Sequence, residues 1–265
     1  MDNFRADKSW GQNYLINRGV IKKIIDSLEL KQSDTVIEIG AGKGALTSPL
    51  VETGASIIAI EPHEQSREYL REKFSENKNL KIIDADATIF DFRTINSPCV
   101  KIVGNLPYNV SSRILKRLFV TAIHSPLWVL MFQKEMAYRI AAIPGNSEYG
   151  SLSVMTEFFT ERKILFNVKA GSFSPPPKIE SSVMSFIPNS KYRISDIDGF
   201  EVVLKKIFSQ RRKKMETILK KIFPEVYRDE VLSETGFSFS RRPQEFLPDE
   251  FFILISAILK YTGSD

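Results

Sequence analysis

The chain has 265 residues, 43% of them hydrophobic and 26% charged, with a net charge of +5 and one cysteine. That composition excludes a disordered chain and is enough for one large domain or a main domain plus a smaller one. A single cysteine, Cys99, excludes an internal disulfide. It is read as a small buried hydrophobe, and a cytoplasmic setting is the simplest expectation. The first residues are polar, with no apolar run of signal-peptide or membrane-spanning length.

In chain order, Asn17 to Leu28 has helical periodicity. "TVIEI" (Thr35 to Ile39) is a short β-branched strand that ends in glycines, and "ALTSPLVETG" is a helix closed by Gly54. "SIIAI" is a second strand, "EQSREYLREKF" an amphipathic helix and "LKIID" a third strand. "CVKIV" is a fourth, followed by a helix from Ser111, and "PLWVLMF" is a fifth. Uninterrupted apolar strands alternating with helices predict a parallel sheet covered on both faces. After Tyr149, "GSLSVMTEFF" reads as a helix, while "KILFNV" and "SSVMSFI" read as two strands around the stiff loop "SPPPK". They suit an antiparallel edge on the parallel sheet. From about Ser195 only helical patterns remain, in "FEVVLKKIFSQRRKKMETILKKIF" and "DEFFILISAILKY". The expected domains are 1–192, an α/β unit, and 193–265, a small all-helical unit.

Positive charge is uneven. Lys205, Lys206, Arg211, Arg212, Lys213, Lys214, Lys220 and Lys221 face a single acid, Glu216, within one short segment. Like charges this dense repel without a partner, so the segment is read as binding a polyanion, with nucleic-acid phosphate the usual one. A solvated helix face is the alternative.

The first strand runs into Gly40, Gly42 and Gly44, which permit a tight turn and close approach of a ligand. The spacing G-x-G-x-G is not the full dinucleotide fingerprint, because its third glycine would fall on Ala45. Nor is it a P-loop, since Gly44 rather than Ser or Thr follows Lys43. Glu61 ends the second strand about twenty residues later, where an acid can hold both ribose hydroxyls. These features leave NAD and S-adenosylmethionine in contest. Asp86, just beyond the third strand, can meet an adenine amino group or place neighbours that do. The fourth strand then delivers Asn105-Leu106-Pro107-Tyr108. Hydride transfer has no evident use for that tetrapeptide, whereas methylation of an exocyclic amine does. The adenine N6 lone pair is delocalised into the ring. Two acceptors aimed at its protons, the Asn105 side-chain oxygen and the Leu106 carbonyl, favour a pyramidal nitrogen. Pro107 confines Leu106 to extended conformations, and Tyr108 offers a stacking face. An ordinary strand-ending turn is the bland alternative.

The chain resembles the small-subunit ribosomal RNA adenine N6-dimethyltransferases. "GQNYLIN", "VIEIGAGKGALT", "IE" at Ile60-Glu61, "DADA", "GNLPYNVSS", "FQKEMAYRI", "YGSLSV", "FSPPPKIESSV" and "FSQRRK" stand in that family's order. The resemblance implies a Rossmann-like methyltransferase domain with a mostly parallel seven-stranded sheet and a helical C-terminal domain that contacts the ribosome. It implies that S-adenosylmethionine meets Asn13, Leu15, Gly40, Gly42, Glu61, Asp86 and Asn105. It implies that Asn105 to Tyr108 hold the target adenine and that Phe173, expected to project from its proline-rich loop, closes the other face of the base. Arg211, Arg212, Lys213 and Lys214 would grip RNA.

The substrate implied is small-subunit rRNA within a pre-30S particle, methylated by a cytoplasmic monomer with no membrane partner and no metal. The family usually has Phe where Trp10 and Tyr14 stand, and a second acid soon after Glu61, where Pro62 and His63 stand here. The rivals are a large-subunit rRNA adenine dimethylase of the macrolide-resistance type and a nucleic-acid-binding relative without catalysis. An NAD oxidoreductase is a third.

Overall fold

The computed structural model describes residues 13–222, 233 and 235–262. Trp10 and the Gly11-Gln12 pair of the opening motif lie outside the described residues. The chain divides into two compact units, residues 1–137 with 161–188 and residues 138–160 with 189–265.

The first unit begins with β1 (Tyr14–Leu15) and α1 (Arg18–Asp26). Asn17 caps α1, its side-chain oxygen accepting from the Val20 N–H at 3.1 Å. Then follow β2 (Thr35–Ile39), α2 (Thr47–Glu52), β3 (Ser56–Ile60), α3 (Glu64–Lys73) and β4 (Leu80–Ile83). β5 (Val100–Asn105), α4 (Ser111–Thr121), β6 (Trp128–Gln133) and the start of α5 (Lys134–Ala141) come next. After α6 (Ser151–Phe159), β7 (Thr160–Val168), β8 (Phe173–Ser174) and β9 (Ser181–Pro188) return to this unit.

Seven strands form one sheet in the order β4-β3-β2-β5-β6-β9-β7. The first five are parallel, and β9 runs antiparallel to β6. This is the expected parallel sheet, with both late strands on one edge. β2 shows why such strands read as continuous apolar runs: every one of its residues is buried, because helices cover both faces. The core around it includes Leu50, Leu70, Val103 and Val183. The two-residue ribbon β1–β8 lies apart, with Leu15 opposite Phe173 and Tyr14 opposite Ser174.

The second unit holds α6, α7 (Ile197–Phe208), α8 (Met215–Ile222) and α9 (Pro248–Thr262). Its core is aromatic. Phe158 meets Phe200 edge-on at 5.8 Å between ring centroids, and Phe200 stacks on Phe252 at 5.9 Å. The stretch read as helical from Phe200 onward is broken. Residues 209–214 form a turn between α7 and α8, stabilised by Lys213 N–H donating to the Gln210 carbonyl at 2.8 Å. In a continuous helix Arg211 and Lys214, three residues apart, would face each other as like charges. Among the described residues no helix is long and apolar enough to cross a membrane.

Candidate active site

Strand order reverses between β2 and β5. The chain leaves β2 toward β3 on one side and returns to β5 on the other, and a crevice opens beyond the carboxyl ends of such strands. The register sets Ile39 opposite Gly104, so Gly40 and Asn105 emerge side by side. Gly104 must be glycine for this: a Cβ there would lie 2.9 Å from both the Ile39 carbonyl oxygen and Leu106 Cδ2.

The glycine loop and the acid after β3 form one wall. Gly42 N–H donates to Glu61 Oε2 at 2.9 Å, and His63 N–H donates to Oε1 at 3.0 Å. Both oxygens are thereby aimed, and each keeps acceptor capacity for a hydroxyl. Gly42 adopts φ +53°, and its missing Cβ would sit 3.1 Å from the Tyr14 ring. Lys43 Nζ lies 5.1 Å from that ring's centroid.

The opposite wall is the end of β5. Asn105 Nδ2 donates to the Asn13 carbonyl at 3.2 Å, which turns the amide so that its oxygen is left as the acceptor. Neither Asn105 Oδ1 nor the Leu106 carbonyl oxygen takes a hydrogen bond from any described residue. The Tyr108 hydroxyl is 2.7 Å from Ser181 Oγ on β9, which fixes the ring's direction. Burial pushes the Tyr108 hydroxyl pKa up, with the Ser181 hydrogen bond working the other way.

One cleft is lined by Asn13, Leu15, Gly40, Gly42 and Glu61 and by all four residues from Asn105 to Tyr108. Asp86 and Phe173 are not in its lining. Asp86 is exposed and accepts from the Thr88 N–H at 2.8 Å in a side-chain turn. The Phe173 ring does not project as its loop suggested: it is 2% exposed and packs in the core with Leu15 and Val168. The ribbon with β1 draws it inward. Arg211, Arg212, Lys213 and Lys214 belong to the second unit, in the turn after α7. The last three are exposed, while Arg211 donates to the Ser147 carbonyl.

Glu38 was missed. It sits mid-strand in β2, 1% exposed, and lines the cleft. Burial pushes its carboxyl up to about 7, and the Glu61 charge adds to the effect against a 2.6 Å hydrogen bond from Thr47 Oγ1. Its signal was plain: one acid within an otherwise apolar strand.

The description "Ribosomal RNA adenine dimethylase" belongs to a family model that matches residues 3–239. The ribosomal RNA small subunit methyltransferase A of Malacoplasma penetrans is 36% identical over 253 residues, which covers 95% of this chain and 91% of that one. A dimethyladenosine transferase from Plasmodium falciparum superposes with a TM-score of 0.78 at 26% identity, covering 94% of this chain and 98% of its own. The 23S rRNA methyltransferase ErmE superposes with a TM-score of 0.67 at 22% identity, over 92% and 99% of the two chains, a likeness of fold. The match runs through both walls of the cleft, and the chain belongs to the ribosomal RNA adenine dimethylase family.

Proposed function

We propose that this protein methylates the N6 of two adjacent adenosines, twice each, in the 3′-terminal hairpin loop of small-subunit rRNA. The observation that carries the reading is the pair of unclaimed acceptors, Asn105 Oδ1 and the Leu106 carbonyl oxygen, at the end of β5. S-adenosylmethionine, when bound, supplies an electrophilic methyl group on a sulfonium. The residues present suit it, because Glu61 presents two oriented carboxylate oxygens to ribose hydroxyls across from a glycine loop that leaves room for the rest.

The target base must leave its stack to reach the cleft. In the first transfer Asn105 Oδ1 and the Leu106 carbonyl each accept a hydrogen bond from an N6–H, and in the second one of them holds the remaining N6–H, drawing the lone pair out of the ring plane. The proton that N6 sheds on methylation passes to water. Tyr108 stacks on the base, an interaction worth roughly 1–3 kcal/mol. No strong base is needed. The rate comes from positioning and from dipoles fixed in advance by Asn13 and Ser181. Phe173 takes the other face of the base. Asp86 borders the adenine end of the cofactor.

Arg212, Lys213 and Lys214 hold rRNA phosphates, and Arg211 shapes the turn that presents them. The substrate is a pre-30S particle in the cytoplasm, and the enzyme works as a monomer. The similarity to a small-subunit methyltransferase over nearly the full length favours that subunit. Methylation of under-methylated small subunits and of large subunits with labelled cofactor tests this. Label in the large subunit alone overturns the choice of substrate, and label in neither overturns the activity.

A further inference from the structure

The stretch after β3 makes one more ladder bond, from Glu61 N–H to the Ile83 carbonyl at 3.1 Å, and then leaves the sheet. Pro62 has no N–H to continue the ladder. Arg67 fills the gap. Its side chain turns back from α3, is only 8% exposed, and spans two strand ends. Nη1 donates to the Glu61 carbonyl at 3.1 Å and to the Pro62 carbonyl at 2.6 Å, and Nη2 pairs with Asp84 Oδ2 at 2.9 Å. Asp84 directly follows β4, two residues before Asp86. Nε is buried with no partner among the described residues. Asp84 is 66% exposed, so water takes over its charge when Arg67 is replaced, and the main cost of an apolar side chain there is the two carbonyls that lose their donor.

We propose that Arg67 is a positioning residue for the nucleoside half of S-adenosylmethionine, clamping the Glu61-Pro62 backbone to the loop that carries Asp84 and Asp86. The inference rests on the functional reading above. Gly42 and His63 aim the Glu61 carboxylate from the cleft side. Arg67 holds the same residue from behind, through its carbonyl, and its planar fork bridges to Asp84 at the same time. The residue that meets ribose and the loop that borders adenine therefore keep a fixed spacing. Arg67 itself is not in the cleft lining, so its effect passes through Glu61.

The test is calorimetric titration with S-adenosylhomocysteine, alongside thermal midpoints and steady-state kinetics, on wild type, Arg67→Met, Arg67→Lys and Lys101→Met. Lys101 is a half-buried cation paired with Asp34 at 2.9 Å near the starts of β5 and β2, away from the cleft, and serves as the control. Arg67→Met is expected to bind about tenfold more weakly, the loss of a charged hydrogen bond. KM for the cofactor should rise by the same factor, with kcat at saturating cofactor and KM for the subunit unchanged. Arg67→Lys is expected to lose a few-fold, because an ammonium cannot reproduce the fork, and it carries the test should the Met variant fail to fold. Lys101→Met should lower the midpoint and leave affinity alone. Arg67 variants that bind like wild type, whatever their midpoint, overturn the proposal while leaving the functional reading intact. A wild type that does not bind overturns both.

Discussion

The Asn105 side chain donates to the Asn13 carbonyl across 92 residues of chain, at 3.2 Å. That single bond decides which end of the amide faces the cleft. It makes Asn105 an acceptor by occupying its nitrogen, and it ties the start of the described chain to the end of β5.

Asn105→Ala should therefore lower the single-turnover rate of methyl transfer by about 100-fold or more, the scale seen when one preorganised hydrogen-bonding group is lost at a reacting centre. Asn105→Asp should fare no better despite its shape. A carboxylate has no donor for the Asn13 carbonyl, and the two oxygens would repel. Turnover near wild type in the alanine variant would remove Asn105 from its acceptor role.

Gly104→Ala tests the backbone next to it. The added carbon would lie 2.9 Å from the Ile39 carbonyl oxygen, and backbone cannot yield as a flexible side chain can. Overpacking of this kind costs about 1–3 kcal/mol. The thermal midpoint should fall by several degrees. The rate should fall further than the midpoint implies, because β5 must shift and carry the Leu106 carbonyl with it. A variant with a lowered midpoint and normal kcat would show that Leu106 needs no such precise placement.

The Glu38 carboxyl titrates near 4.5 in the unfolded chain and is pushed up to about 7 in the fold, chiefly by burial. Between those values the folded state holds a proton that the unfolded state has released. Stability must then fall as pH rises from about 4.5 through 7 and level off above, a loss of at most about 3 kcal/mol. Glu38→Gln should remove this component. The midpoint difference between variant and wild type, measured from pH 5 to 8 without ligand, should grow in the variant's favour with pH. A constant difference would place Glu38 at an ordinary carboxylate value.

The sheet and most of the cleft were legible because their signals are local. β2, β3 and β5 are mostly apolar, and Gly40, Glu61 and Asn105 each stand where such a strand stops. What escaped is set by packing at a distance. β1 and β8 are two residues each, too short to show a period, yet their pairing decides that Phe173 faces the core. The turn at 209–214 was hidden in a stretch of good helix formers, and the start of α8 just after it is held from far away, by Met215 N–H donating to the Arg241 carbonyl. Arg67 looked like one more charge on an amphipathic helix. Nothing in its neighbours told that it would turn under β3 instead of out to water.

That turn supplies the last prediction. Arg212, Lys213 and Lys214 point to solvent with no acid among the turn residues, while Arg211 is committed to the Ser147 carbonyl. The four cations should therefore divide in function. If, as proposed, Arg212, Lys213 and Lys214 grip phosphate and do no chemistry, replacing all three by Ala should raise KM for the small subunit and leave kcat at saturation near wild type. A phosphate that is no longer neutralised keeps its counterion, so the slope of log affinity against log salt should become shallower by about 2 to 3. Arg211→Ala should instead lower the thermal midpoint and leave the slope nearly as it was. Filter-binding isotherms across a salt series read affinity and slope at once. An unchanged slope in the triple variant would move RNA binding away from this turn.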